Sequence, residues 1–245
     1  MTLGKIRVGT RVYSRDYPKG YHDPSIEGYS SVVSLTKSSP YGSLSPYLLK
    51  TPEGVLLENE WQFSKCYRYV PAITQTENRF SKHIVWSHPK EIHTNVEGQP
   101  NEKYWSWREK GMKCPYPVRW PVGKVHSKKC LYSISSDDHT KRLDYIEARK
   151  EIYLKRYLES VVSEKQFKSL RRRLEKGENL LIIEVDGPHQ ESLDYYIDTY
   201  GVPDTFIIES TVRATKKNLR ILLNDPRHPF GHGYCLATAL LGYIL

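Results

Sequence analysis

The 245-residue sequence contains no apolar stretch that approaches the roughly 18 residues needed for a membrane-spanning helix. Its first residues, MTLGKIRVGTRVYS, have no long apolar core of the kind found in a signal peptide. These two absences argue against a membrane-embedded protein and against a secreted one. We therefore expect a soluble protein of the cytoplasm or nucleus that has no membrane partner.

Cysteine is scarce and scattered. The four cysteines, Cys66, Cys114, Cys130 and Cys235, stand far apart and form no CxxC pair. This spacing argues against a zinc ribbon and against a paired redox motif. Reduced thiols in an intracellular compartment are the simplest interpretation. The sequence also contains no internal repeat and no low-complexity tract.

Positive charge is the most prominent feature of the composition. The chain has 37 Lys and Arg against 28 Asp and Glu, which gives a formal net charge of +9 at pH 7. Such a surface attracts anions, whether nucleic acid or a phosphorylated small molecule. The length fits one large domain or two small ones.

Apolar patterning predicts a mixture of strands and helices without strict βαβ alternation. We therefore predict an α+β fold in a single domain, residues 1–245. Short β-branched runs predict strands over 5–14, 30–36, 179–188 and 205–212. Helical spacing predicts helices over 57–67, 142–161, 163–177, 191–201 and 216–225, followed by an apolar C-terminal helix. A capping box formed by Ser163 and Gln166 is expected to start the third of these helices.

Residues 70–125 are predicted to be an irregular insertion, because six prolines and four of the five tryptophans fall there. The segment 104–120 mixes aromatic and basic side chains, which suits stacking on bases together with phosphate neutralisation. The alternative is that the segment packs its own aromatic residues into a small satellite core.

Glu58, Gln62 and Lys65 recur at steps of four and three within the predicted helix 57–67. These steps place the three side chains on one stripe of a helix. A carboxylate, an amide and an amine can supply an acid or base, a hydrogen-bonding group and a cation. Lys65 becomes a nucleophile if burial lowers its pKa. The alternative is the polar face of an ordinary surface helix.

The stripe follows a loop, YGSLSPY (41–47), and a turn at Gly54. Together with the pattern E-x3-Q-x2-K of residues 58–65, this stretch resembles the start of the NADAR superfamily, which includes YbiA-like N-glycosidases. The helical stretch ARKEIYLKRYLESV and the Phe230–Gly231 loop before the last helix resemble the family more loosely. The chain departs from the family pattern at Pro46 and in the final loop, which carries His228 and His232. An uncharacterised bacterial family has similar WQxxKxY and ARxxIYxxxY patterns.

The resemblance implies a YbiA-like fold and hydrolysis of the N-glycosidic bond in a phosphorylated, nucleotide-like substrate, either an ADP-ribose conjugate or a modified nucleobase. Glu58 and Asp186 are the expected acid/base carboxylates, with Lys65 as cation or nucleophile. We expect no organic cofactor and no metal. The expected substrate-binding residues are Ser45, Tyr47, Trp61, Gln62, Arg149, His228 and His232.

Several of these residues have other interpretations. Asp186 follows a predicted buried strand, where side chains of binding sites often converge, but an Asp there also stabilises its own turn. His228 and His232 lie at a helix start, where they could bind a phosphate or transfer a proton. One alternative is a metal site formed with His189, and another is a plain turn in which the histidines have no special role. Arg149 suits either an anion site or a solvent-facing position.

Two other functions fit the sequence. The first is a non-catalytic nucleic-acid-binding protein that uses segment 104–120 and the basic run Arg171–Arg173. The second is a nucleotide sensor or sponge that retains the pocket without turnover.

Overall fold

The computed structural model describes residues 2–35, 38–76 and 83–245. It is 35% helical and 20% strand, which confirms a mixed α+β architecture. The chain divides into two compact units, one formed by Met1–Ser45 with Tyr157–Leu245 and the other by Pro46–Arg156. The organisation of the chain as a single domain stays a prediction. No helix in the described residues is both long and apolar enough to cross a bilayer.

The strands and helices are mostly short. The strands are β1 (Ile6–Thr10), β2 (Val12–Tyr13), β3 (Tyr21–His22), β4 (Ser30–Val33), β5 (Lys65–Cys66), β6 (Tyr69–Val70), β7 (Ile73–Thr76), β8 (Ile84–His88), β9 (Glu91–Ile92), β10 (Tyr132–Ile134), β11 (Arg142–Leu143), β12 (Leu180–Glu184), β13 (Ile207–Ile208) and β14 (Thr211–Arg213). The α-helices are α1 (Leu57–Phe63), α2 (Glu102–Met112), α3 (Tyr145–Ala148), α4 (Lys155–Val161), α5 (Lys165–Glu175), α6 (Leu193–Tyr200), α7 (Lys216–Asn224) and α8 (His232–Leu241).

A five-stranded mixed sheet organises the first unit, in the order β13-β14-β1-β12-β4. Strand β12 pairs in parallel with β1 and with β4, and β14 pairs antiparallel with β1. All five residues of β12, LLIIE, are buried. A continuous apolar run is typical of a strand covered on both faces, so the predicted buried strand at 179–188 is confirmed.

The C-terminal helix α8 contacts β1 and β12, and it also contacts α5 and α7. Two glycines at its start allow this approach. A Cβ at Gly231 would lie 2.4 Å from Glu184 Cδ, and one at Gly233 would lie 3.2 Å from the side chain of Ile182. The predicted apolar helix at the C-terminus is confirmed, and so are the helices predicted over 191–201 and 216–225.

Three predicted elements differ in detail. The stretch 205–212 is a hairpin instead of one strand, because Glu209 and Ser210 both have positive φ and form the two-residue turn between β13 and β14. Helix α1 ends at Phe63 because Lys65 and Cys66 join a sheet with β10. Of the strand predicted over 30–36, residues 30–33 are observed, and Thr36 lies outside the described residues.

The helical region 142–176 is also less regular than expected. It contains a six-residue π-helix, Arg149–Leu154, between α3 and α4. The capping box predicted at Ser163 is wrong, because Glu164 is the N-cap of α5 and the Ser163 hydroxyl donates to the Ser160 carbonyl. A capping box is instead present at Asp144, at the start of α3.

An aromatic core holds the second unit together. It is built around Phe63 of α1, whose ring centroid lies 4.7 Å from that of Trp86 and 4.6 Å from that of Trp107. Segment 70–125 is therefore not irregular, since it contains β6 to β9 and α2 and supplies much of this core. Its residues 77–82 lie outside the described part of the chain.

We predict that Gly111→Ala destabilises the protein. A Cβ at Gly111 would lie 2.2 Å from the Phe63 ring, which Trp86 and Trp107 hold in place. Overpacking of this kind costs about 1–3 kcal/mol, which outweighs the gain in helix propensity of roughly 1 kcal/mol. Chemical denaturation measures the loss. Ser106→Ala, an exposed change in the same helix, is the control and should change the free energy of unfolding by less than about 0.5 kcal/mol.

Candidate functional site

Glu58, Gln62 and Lys65 form one hydrogen-bonded chain in the second unit. The Gln62 amide nitrogen donates to Glu58 Oε1 at 2.9 Å, and Lys65 Nζ donates to Gln62 Oε1 at 3.0 Å. Glu58 and Gln62 are each only 5% exposed. The stripe is therefore not the solvated face of a surface helix. Lys65 reaches the chain from β5, after α1 has ended.

Lys65 has an unusual electrostatic environment. Its Nζ lies 4.4 Å from the centroid of the Trp61 ring. Burial lowers the pKa of Lys65 from 10.5 to about 8, although the negative charge of Glu58 acts in the opposite direction; the positive charge of Arg119 lowers the pKa further. An amine with such a pKa is partly neutral near physiological pH, and only the neutral form is a nucleophile.

Aromatic rings and a buried arginine lie on the elements that pack against α1. The Trp61 ring centroid is 5.2 Å from Tyr153 and 6.4 Å from Tyr145. The Arg149 guanidinium lies 4.5 Å from the centre of the Tyr145 ring, and Arg149 is only 2% exposed. The interpretation of Arg149 as solvent-facing is therefore wrong.

Arg149 is the first residue of the π-helix, which contacts α1. Single π-turns inside α-helices are rare and occur frequently at functional sites. A π-turn holds one residue more than an α-turn, and this difference produces no clear change in the spacing of apolar residues. The π-helix was therefore not predicted from the sequence. It adds an independent structural indication that the surroundings of α1 are a functional site.

A second buried carboxylate of α1, Glu60, was not considered from the sequence. Arg156 Nε donates to Glu60 Oε1 at 3.1 Å, and its NH2 group donates to Asp137 at 2.6 Å. Glu53 lies 3.8 Å from the same guanidinium. Because Glu60 is neutralised by an arginine, we interpret this group as structural.

In the first unit, the most buried carboxylate near Asp186 is Glu184. Glu184 is completely buried; its Oε1 accepts from the backbone N–H groups of Val185 and Asp186, and its Oε2 accepts from that of Gly233. Asp186, the residue chosen from the sequence, is half-buried. The signal that could have found Glu184 is a carboxylate at the end of an otherwise apolar strand.

His232 connects Glu184 to a serine. Its Nδ1 lies 3.2 Å from Glu184 Oε2, and its Nε2 lies 3.2 Å from the Ser34 hydroxyl and 3.1 Å from the Ser34 carbonyl oxygen. The carbonyl can only accept, so Nε2 carries a proton when it makes that bond. Glu184 also accepts from the first turn of α8, where a negative charge is electrostatically favoured. The arrangement anchors α8 to β12.

His228 lies in a separate polar group of the same unit. Its Nδ1 is 2.7 Å from Asp225 Oδ2, and its Nε2 is 3.1 Å from the Ser192 hydroxyl. Tyr195 and Tyr196 donate to Asp225. Burial raises the pKa of Asp225, but these hydrogen bonds outweigh it and leave the pKa below its ordinary value.

The remaining predicted residues divide between the units. Ser45, Asp186, His228 and His232 belong to the first unit, and the stripe residues, Tyr47, Trp61 and Arg149 belong to the second. Ser45 is completely buried and follows a 3-10 turn, Gly42–Leu44. In the described residues, His189, His228 and His232 do not come together as a set of metal ligands.

The two segments proposed for nucleic-acid binding are largely occupied by other contacts. Tyr104 and Trp107 are core residues. This agrees with the alternative prediction that the aromatic residues of segment 104–120 pack into a core. Arg171 donates to the Leu240 carbonyl and to Glu175, and Arg173 donates to Glu178 and Tyr41. These side chains are therefore engaged within the protein.

Comparison with protein-family models, with curated proteins and with solved structures finds no match to this chain. The likeness to NADAR proteins therefore rests on the residues from Tyr41 to Tyr67 and on the two looser stretches. The roles that follow from it are proposals.

We predict that Lys65 titrates near pH 8, well below an ordinary lysine. Reductive methylation with ¹³C-formaldehyde followed by NMR gives the midpoint, and Lys65→Arg identifies the signal by removing it. Glu58→Gln should lower the midpoint further, because the negative charge of Glu58 raises the pKa of Lys65. A midpoint near 10.5 would contradict the buried environment described for this amine.

Proposed function

We propose that this protein is an N-glycosidase that hydrolyses the bond between a base and a ribose in a phosphorylated, nucleotide-like substrate. The observation that carries the proposal is the hydrogen-bonded chain Glu58–Gln62–Lys65, in which Glu58 and Gln62 are buried and the Lys65 amine has a pKa of about 8. Amines with a strongly lowered pKa cluster at catalytic sites. We also propose a YbiA-like fold, on the basis of the resemblance over 41–67.

The chemistry requires a negative charge near the anomeric carbon. As the bond from C1 to the base nitrogen breaks, its electron pair leaves with the base and positive charge grows on the ribose. The Glu58 carboxylate stabilises that charge and accepts a proton from the attacking water, whose oxygen bonds to C1. Gln62 holds Glu58 in position, because its amide nitrogen donates to the carboxylate.

Lys65 has two possible roles, which depend on its protonation. The ammonium form donates a proton to the departing base. The neutral form attacks the aldehyde of the opened sugar and forms an imine, with release of water. A pKa of about 8 keeps both forms populated near neutral pH.

Arg149 and the aromatic residues beside α1 suit the rest of such a substrate. A guanidinium binds phosphate through two parallel hydrogen bonds, and aromatic rings stack on bases. Trp61, Tyr145 and Tyr153 provide rings close to the stripe. The net charge of +9 favours the approach of a phosphorylated molecule.

Asp186 is a further predicted carboxylate, and the other predicted substrate-binding residues are Ser45, Tyr47, His228 and His232. These assignments stay predictions, since the contacts that support the proposal involve other residues, namely Glu58, Gln62 and Lys65. Glu184, which is completely buried, is held by backbone donors and by His232, and we assign it a structural role.

The proposal predicts release of free base from at least one member of a nucleotide panel that includes ADP-ribose conjugates and modified nucleobases, measured by liquid chromatography. Glu58→Gln should reduce the rate by at least about 100-fold, since positioned acid–base groups contribute 10²–10⁴-fold. Circular dichroism checks that the fold is intact. Glu109→Gln, an exposed change in α2, is the matched control and should leave the rate unchanged.

Borohydride trapping tests the role of Lys65. If Lys65 is a nucleophile, the trapped adduct should increase as the pH rises through about 8 and should be absent in Lys65→Arg. If it acts only as an acid, base release should instead fall over the same range and no adduct should form.

Two outcomes would overturn the proposed activity. Binding of a nucleotide without base release indicates a sensor or sponge. No release from any panel member, together with binding of DNA or RNA that weakens steeply with salt, indicates a nucleic-acid-binding protein.

A further inference from the structure

Three side chains with metal-binding chemistry come together in the unit Pro46–Arg156. They are His88 at the end of β8, Glu91 in β9 and His93 just after β9. One ligand atom from each of the three lies within 4.8 Å of the other two. None of these residues belongs to the Glu58–Gln62–Lys65 chain, and none of them was predicted to be a site residue from the sequence.

Two distances between the ligand atoms match the edges of a coordination tetrahedron better than they match ordinary ion pairs. His88 Nε2 lies 3.3 Å from Glu91 Oε2, and His93 Nε2 lies 3.4 Å from the same oxygen. A charge-assisted hydrogen bond is shorter, at about 2.7–2.9 Å. The edge of a tetrahedron of ligands about 2.0–2.1 Å from a zinc ion is about 3.3–3.4 Å.

The state of His93 points to a missing partner. Its side chain is completely buried; within the described residues Nδ1 has no hydrogen-bond partner, and Nε2 has only the long contact to Glu91 Oε2 at 3.4 Å. The ring is surrounded by aromatic groups, with the Trp107 centroid at 5.2 Å and the Tyr104 centroid at 6.2 Å. A buried polar group without a partner is costly and calls for an explanation. A metal ion bound at Nε2 would give that nitrogen a short, strong partner in place of the long contact to Glu91.

His88 is held in the orientation that metal binding needs. Its Nδ1 lies 2.8 Å from the Pro89 carbonyl oxygen. Since a carbonyl only accepts, Nδ1 carries the proton and the lone pair of Nε2 is left on the side of Glu91. The ring also stacks parallel to Trp86, with an interplanar angle of 3°. Metal-binding histidines are commonly fixed by such a hydrogen bond from the other ring nitrogen.

From these observations we infer that His88, Glu91 and His93 bind a zinc ion. Two imidazoles and one carboxylate suit zinc and the other borderline divalent metals, whereas Mg²⁺ and Ca²⁺ prefer oxygen ligands alone. Three protein ligands leave a fourth position for water or another ligand. Glu91 retains partial exposure, which gives an ion access to the site. The inference is independent of the proposed glycosidase activity.

The test is calorimetric titration of the chelator-treated full-length protein with zinc chloride. We expect binding of one zinc ion per chain and no detectable binding of magnesium chloride under the same conditions. Glu91→Gln and His88→Gln should each weaken zinc binding by about 10-fold or more, as loss of a ligand implies. Cobalt chloride should give the visible absorption of a tetrahedral cobalt centre in the wild type, and Glu91→Gln should lose it.

Two controls separate this site from adventitious binding and from misfolding. His126→Gln changes a half-buried histidine elsewhere in the same unit and should leave the affinity unchanged. Glu91 is only half-buried, so Glu91→Gln is expected to fold, and circular dichroism verifies this. Absence of zinc binding in the wild type, or equal affinity in the wild type, Glu91→Gln and His88→Gln, would overturn the inference.

Discussion

Helix α1 buries charge, and the surrounding structure has to neutralise it. Six of its seven residues are buried, including Glu58, Glu60, Asn59 and Gln62. Carboxylates and amides lose hydration on burial and are stable there only when they are paired. Each therefore has a partner: Gln62 of the same helix donates to Glu58, whereas Arg156 donates to Glu60 and Asn59 contacts the backbone of the 114–118 segment. The aromatic core around Phe63 fixes the end of the same helix.

Much of the fold could be predicted from local pattern. Strand β12 has an uninterrupted apolar run, and α6 ends at Gly201, whose φ is +61°. Such signals are carried by neighbouring residues, so a single sequence is enough to read them. The π-helix and the hairpin between β13 and β14 depend on backbone conformations that residue type only weakly specifies. They were therefore missed or simplified.

The candidate site was predictable only in part, for a similar reason. The periodicity of α1 placed Glu58 and Gln62 together, but it did not show that Lys65 would leave the helix and still reach Gln62. Asp186 was preferred to Glu184 because it lies at a predicted turn. Glu184 is the more buried of the two because α8 packs on β12, and this packing cannot be read from the local sequence. His88, Glu91 and His93 come together through a turn between two short strands, and their spacing matches no familiar metal motif. Likewise, the sequence of segment 70–125 did not show whether its tryptophans stack on a ligand or pack into a core. Only the tertiary structure shows that Trp107 lies in the core.

The orientation of the Gln62 side chain has one further consequence. Its nitrogen faces the carboxylate and its oxygen faces the amine, so the side chain bridges two groups of opposite charge. An amide neither gains nor loses a proton at ordinary pH. Gln62 therefore holds Glu58 and Lys65 in position by hydrogen bonds to both, but it does not relay a proton from one to the other. Glu58 and Lys65 can then each hold its own charge state, whereas an acid or a histidine at the same position could pass a proton between them.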